Sequence, residues 1–345
     1  MATPSRPRSC AYLYCLLLAL LAFCCLLGVA AAQSPSQPAD EAQMLLRIKS
    51  AWGDPPVLAG WNATAAGAHC SWPYVRCDTA GRVVNLTLAN INVTGPLSDA
   101  IGNLVALTHL DVSQNNITGA FPTALYRCRS LQYLDLSINQ LGGEIPADIG
   151  TGLGENLITL DLDTNEFVGT IPPSLSRLRN LLSLALNNNN NLTGTIPAEL
   201  GDLRSLQVLY LAINPFDAGQ LPASFKNLTN LVSLWATQCN LIGDFPNFVW
   251  SLKKLENLWL YTNHITGELV VDVFAARSLE IIDLSQNNIT GVIPEVFGRL
   301  ENLTILSLFE NSLSGKIPVS IGQLPLLTRL RLNNNRLNGT LTGLD

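Results

Sequence analysis

The residues that could do chemistry are few, and most of them are badly placed for it. His69, His109 and His264 are scattered with no metal-ligand spacing. His109 and Asp111 stand two apart, but no nucleophile is positioned beside them, so a solvated pair is expected. Gly150, Gly152 and Gly154 mimic a phosphate-binding loop, yet no strand precedes them and no helix follows, and they read as a plain loop. No catalytic centre, metal or cofactor is expected. Better suited to recognition are Tyr210, Trp235, Trp259, Tyr261 and Phe309, followed by Arg329 and Arg331. Large rings on a wetted face are favoured anchors for a partner, and two guanidinium groups suit a carboxylate. The bland alternative is that the rings merely pack on one another across neighbouring strands.

What positions these residues is a unit of about 24 residues repeated from Val83 onward. Its first apolar residues are Val83, Leu107, Leu131, Leu157, Leu181, Leu206, Leu231, Leu255, Leu279, Leu303 and Leu327. LTHLDVSQNNITGAFP (107–122) and LEIIDLSQNNITGVIP (279–294) show its form. The pattern L-x-x-L-x-L-x-x-N is the leucine-rich-repeat signature, and it predicts an α/β solenoid of about eleven units with a parallel concave sheet. Within L-x-L the leucines face the core and the intervening residues face solvent. Tyr210, Trp235 and Trp259 thereby fall on adjacent strands of one face. Repeats six to eleven span about 24 Å, room for roughly seven residues of an extended peptide. The Asn after each strand turns the chain, and its amide is expected to satisfy backbone groups through the stack. That ladder runs Asn115, Asn139, Asn165, Asn189, Asn214, Asn263, Asn287, Asn311 and Asn335; Ile91 and Cys239 replace it in two units. Insertions fall at 151–156, 187–191 and 216–219.

The N-terminus carries an address. Arg6 and Arg8 precede an uncharged apolar run from Cys10 to Val29 and then three alanines, so 1–32 reads as a secretory signal peptide cleaved before Gln33. A signal anchor is the alternative, since the run is long enough to span a bilayer. Residues 33–40 read as a flexible lead-in. No second apolar stretch of spanning length occurs in the chain. Removing the leader takes the formal charge from −6 to −8, which argues against nucleic acid as a partner. Charged residues make up only 13%, against roughly 25% in ordinary domains, so glycans are expected to help solubility. Nine N-x-T sequons are available at Asn62, Asn85, Asn92, Asn116, Asn191, Asn227, Asn288, Asn302 and Asn338. A glycan on Asn85 would obstruct the N-terminal part of the concave face. In an exported chain Cys70 and Cys77, within HCSWPYVRC, are expected to pair. Cys128 and Cys239 lie about 20 Å apart along the stack and are expected to be buried free thiols.

A family resemblance rests on two further stretches. Gly-x-Ile-Pro in the second half of the repeat, at 143–146, 169–172, 194–197, 291–294 and 315–318, resembles the plant-specific leucine-rich repeat. EAQMLLRIKSAW from Glu41, LAGWN from Leu58 and CSWPYVRC are similar to the N-terminal cap of plant leucine-rich-repeat receptor kinases, here residues 41–82. The resemblance spans 41–345. LTRLRLNNNRLNGTL looks most like the HAESA-like group of peptide-hormone receptors. It implies a second short sheet and a capping helix with a disulfide. It also implies an extracellular, cell-surface region that binds a small secreted peptide and recruits a co-receptor leucine-rich-repeat kinase ectodomain. In that group an Arg-x-Arg pair reads the peptide's free carboxylate, and Arg329 and Arg331 match its register. No kinase is encoded within these residues, and the repeats of 83–345 end on an incomplete unit. Leu330, Leu332 and Leu337 are expected to face solvent, as in a fragment or truncated product whose membrane anchor would lie beyond it. The rival readings are a secreted enzyme inhibitor of the polygalacturonase-inhibitor kind and a soluble decoy.

Overall fold

A computed structural model describes residues 38–62, 67–271 and 274–339. The leader, its cleavage point and residues 33–37 lie outside the described residues. Helix α1 runs Pro38–Ala51, so the cap begins inside the stretch expected to be a lead-in. Among the described residues no helix is long and apolar enough to cross a membrane.

One sheet of twelve strands forms the concave face. Val75–Cys77 of the cap pairs antiparallel with Val83–Thr87, the first of eleven parallel strands that run in sequence order, one for each repeat. Pairing is in register: Leu209, Leu234, Leu258, Ile282, Leu306 and Leu330 are direct neighbours. The strands are only a few residues long and gain stability from a core shared between units. Leu255, Leu258 and Leu260 are fully buried, each contributing on the order of 1.5–3 kcal/mol. A second set of short strands forms sheets of five, two and two strands. The five-stranded sheet stops after Asn189–Thr193, just before the insertion at 216–219, where only a single Gly219–Leu241 bridge remains. On the opposite side the chain closes most repeats with a 3₁₀ turn, as at Ala198–Asp202 after Pro197. Helix α2, Ile149–Leu153, occupies the stretch expected to be a loop. Its glycines answer to packing: a Cβ on Gly150 would collide with the Ser174 carbonyl oxygen, and one on Gly152 with the Tyr126 ring.

The asparagine ladder forms as its spacing implies. Asn263 Oδ1 accepts from the N–H groups of Cys239 and Leu241, at 3.0 Å each. Its Nδ2 donates to the carbonyls of Ala236 (2.8 Å) and Leu260 (2.9 Å). Cys239 still takes part in the ladder, its thiol lying 3.2 Å from the Leu211 carbonyl. Burial pushes that thiol up to about 12, so it stays protonated. In the first repeat the Ile91 N–H donates to Asn115, so its backbone participates where its side chain does not.

The cap seals the first repeat. Glu41, fully buried, accepts from the Val83 N–H at 2.6 Å. Trp61 stacks on Trp72 with centroids 5.8 Å apart and donates to the Pro73 carbonyl. Cys70 and Cys77 are disulfide-bonded, and Cys128 and Cys239 are free and buried. At the other end Leu330 is 38% exposed, while Leu332 and Leu337 are only partly covered.

Candidate functional site

The strand register brings the aromatic and basic residues of the concave face together. Ala185, Tyr210, Trp235, Trp259, Asp283, Ser307 and Arg331 occupy one row across successive strands. Alternation along each strand sends their side chains away from the leucine core, and the rings are half-buried. Tyr210 meets Trp235 edge to face, with centroids 5.6 Å apart, so the bland packing alternative accounts for that pair. It does not account for the space beside them. A groove of about 570 Å³ is lined by all seven residues singled out above: Tyr210, Trp235, Trp259, Tyr261, Phe309, Arg329 and Arg331.

The groove has walls that the repeat pattern did not announce. Ile281 and Ile305 line it in the row that ends at Arg329. That row is the residue before the first strand leucine, which also points to the concave side. Ser307 lines the groove too; it is 1% exposed and its hydroxyl has no partner among the described residues. Asp283 accepts from the Ser285 N–H at 3.1 Å, which holds its carboxylate against the groove floor. The chemistry is therefore graded: Tyr210, Trp235, Trp259 and Tyr261 at one end, Ile281, Ile305 and Phe309 in the middle, two exposed guanidinium groups at the other end.

The N-terminal half of the same sheet differs. Asp111, Asp135 and Asp161 stand in register on adjacent strands. Burial raises the Asp161 carboxyl to about 7; the neighbouring Asp135, Asp163 and Asp111 add to this, and a hydrogen bond from the Asp163 N–H opposes it. His109 and Asp111 are both partly exposed, and each finds a partner of its own. The His109 ring stacks on Tyr133 at 4.2 Å, and Asp111 accepts from Ser113. The His264 side chain is exposed and His69 is buried in the cap, 3.2 Å from the Gly81 carbonyl. His69 and the two disulfide cysteines cluster closely, but the sulfurs are committed to each other. All nine sequon asparagines are exposed or half-buried, so the fold leaves each accessible. Asn85 accepts from the Thr87 hydroxyl at 2.8 Å on the concave face.

The family model described as leucine rich repeat matches residues 82–141 and 277–337, and a single-repeat model matches 156–178. The leucine rich repeat N-terminal domain matches 38–78. Among solved structures, the Arabidopsis receptor kinase HAESA, in complex with the peptide hormone IDA and the co-receptor SERK1, aligns with a TM-score of 0.74. The identity is 35%, over 86% of this chain and 54% of that one. A plant ice-binding protein aligns with a TM-score of 0.76 at 29% identity, over 87% of this chain and 95% of that one. Polygalacturonase inhibitor 1 of Oryza sativa subsp. japonica is 38% identical over 92 residues, which is 25% of this chain and 27% of that protein. The chain thus spans about half of the HAESA ectodomain and less than a third of the curated inhibitor. These likenesses are to a binding scaffold, and no catalytic domain is indicated in this chain.

Proposed function

Because the chain belongs to the leucine-rich-repeat proteins and carries their N-terminal cap, we propose that it is the extracellular ligand-binding region of a plant receptor-like kinase. In this reading it recognises a small secreted peptide on the concave face and recruits a co-receptor ectodomain. The observation that carries it is the groove of about 570 Å³ in which half-buried rings from consecutive strands lead to Arg329 and Arg331. Tyr210, Trp235, Trp259, Tyr261 and Phe309 give an extended peptide rigid apolar contact at small entropic cost. The two arginines meet its terminal carboxylate through charge-assisted hydrogen bonds. The likeness to HAESA, solved with a peptide hormone and a co-receptor, supports the same reading. Catalysis has no part in it: the bound peptide completes a surface on which a second ectodomain docks.

The test is a binding screen of the secreted chain against short peptides with apolar centres, each made with a free and an amidated C terminus. Free acids should bind about tenfold or more tightly than amides, and Arg329→Gln with Arg331→Gln should erase that preference. Trp235→Ala with Trp259→Ala should abolish binding while leaving Tm within a few degrees. Unchanged affinity in the tryptophan variant sinks the groove assignment. Inhibition of a polygalacturonase by the same chain, with no peptide bound, moves the assignment to the inhibitor class represented by the rice protein.

A further inference from the structure

Away from the concave groove, the edge formed by the 3₁₀ turns collects positive charge in a chain whose net charge is negative. Arg127 and Arg129 begin it, and both spend their guanidinium groups on carbonyl oxygens. Arg127 donates to Gly102 and Asp99, and Arg129 to Thr151 and Gly152. Arg177, Arg179 and Arg204 differ. Their side chains are exposed, and none enters an ion pair or a side-chain hydrogen bond among the described residues. Together with Ser176 and Asp202 they line a recess of about 590 Å³.

The recess follows from the repeat. Leu178 and Leu203 are fully buried, so the residues flanking each must project outward. Arg177 and Arg179 flank the first, and Asp202 and Arg204 the second. One repeat separates equivalent positions, which sets Asp202 beside Arg177 and Arg204 beside Arg179. The backbone beneath is pinned: the Arg179 N–H donates to the Arg177 carbonyl and the Arg204 N–H to that of Asp202, each at 2.9 Å. Asn230 Nδ2 donates to the Arg204 carbonyl at 2.8 Å. Three guanidinium groups are thus presented, unpaired, from a fixed platform.

Their chemistry selects a ligand. Guanidinium groups only donate, so they want carboxylate, phosphate or sulfate oxygens. Asp202 only accepts when ionised and Ser176 can do either, so a good ligand must also bring hydroxyl donors. A DNA single strand lacks that complement of hydroxyls, and the bases of any nucleic acid strand favour aromatic platforms. No ring lines this recess. We infer that the recess formed by Arg177, Arg179, Arg204, Asp202 and Ser176 binds an acidic oligosaccharide, with uronate carboxylates on the guanidinium groups and sugar hydroxyls on Asp202. Successive repeats are offset by about 4.8 Å at the strands, comparable to one pyranose ring, so adjacent sugars can address adjacent repeats.

The experiment measures binding of the whole secreted chain to an oligouronate long enough to span the recess. Its carboxyl-reduced neutral counterpart and a single-stranded DNA of matched charge serve as comparators. The oligouronate should bind with an affinity that falls as salt is raised, and the neutral oligomer should not bind. The triple variant Arg177→Gln, Arg179→Gln, Arg204→Gln should lose about tenfold or more in affinity. If the triple variant melts early, Arg179→Gln alone gives the reading. Asp202→Ala should weaken the oligouronate by removing the hydroxyl acceptor, whereas pure charge attraction would strengthen it. Failure of the wild-type chain to bind, equal binding by the arginine variants, or DNA binding as tight as the saccharide each overturns the assignment. Trp235→Ala and Trp259→Ala should leave saccharide binding untouched, which separates this site from the concave groove.

Discussion

Replacing Asn263 with alanine tests whether the solenoid depends on its amide ladder as strongly as the geometry implies. The side chain satisfies two N–H groups, those of Cys239 and Leu241, and reaches the carbonyls of Ala236 and Leu260. Asn263 is 5% exposed, so water cannot easily replace it. A buried donor left without a partner costs about 1–3 kcal/mol, and the carbonyls each keep a second lone pair that softens their loss. Two orphaned N–H groups therefore set the expected destabilisation at roughly 3–5 kcal/mol. Repeats contact only their neighbours, so the damage should stay near repeats seven and eight and split the unfolding into steps rather than lower a single transition. Thermal or denaturant unfolding gives the total, and amide hydrogen exchange gives its location, with the Cys239 and Leu241 amides losing protection first. A loss below about 1 kcal/mol with both amides still protected would refute the reasoning, because the backbone would then have found other partners.

Two other expectations are narrower. The Asp161 carboxyl, raised by burial to about 7, holds its proton more tightly in the folded chain than in the unfolded one, where Asp titrates near about 3.9. Its contribution is therefore present at low pH and lost as pH rises from about 4 to about 7. Asp161→Asn, which keeps the oxygen that accepts from the Asp163 N–H, should raise Tm at neutral pH and leave it unchanged near pH 4, as read from a pH series of melts. Ile138, at φ +52° and 45% exposed, is a β-branched residue in left-handed backbone, and Ile138→Asn should add roughly 0.5–1.5 kcal/mol by denaturant titration. A loss of stability there would show that the isoleucine side chain is worth more than the strain it imposes.

What could be read from the sequence was whatever depends on one repeat or on register between repeats. The ladder was legible because a single residue type recurs at a fixed offset from the strand. The direction of Trp235 and Trp259 was legible because a strand alternates with a period of two. Contacts between equivalent positions in adjacent repeats follow once register is known, and the stacking of His109 on Tyr133 is one of them. The spacing of His109 to its sequence neighbour Asp111 does not reveal it, because the partner lies across the sheet. Ile281 and Ile305 were missed for a related reason. They precede the first strand leucine, a position outside the L-x-L alternation that faces the same way as the residue after that leucine. Other features belong to no repeat. The Glu41 carboxylate on the Val83 N–H joins the cap helix to the first strand, and nothing periodic announces such a bond. The gap in the second sheet arises where the insertion at 216–219 redirects the backbone, leaving the Asp217 N–H on the Gly194 carbonyl. In a solenoid the informative neighbour of a residue is the one a repeat away. Both the concave groove and the arginine recess follow from that rule: each gathers side chains from successive repeats, and no single stretch of chain contains either.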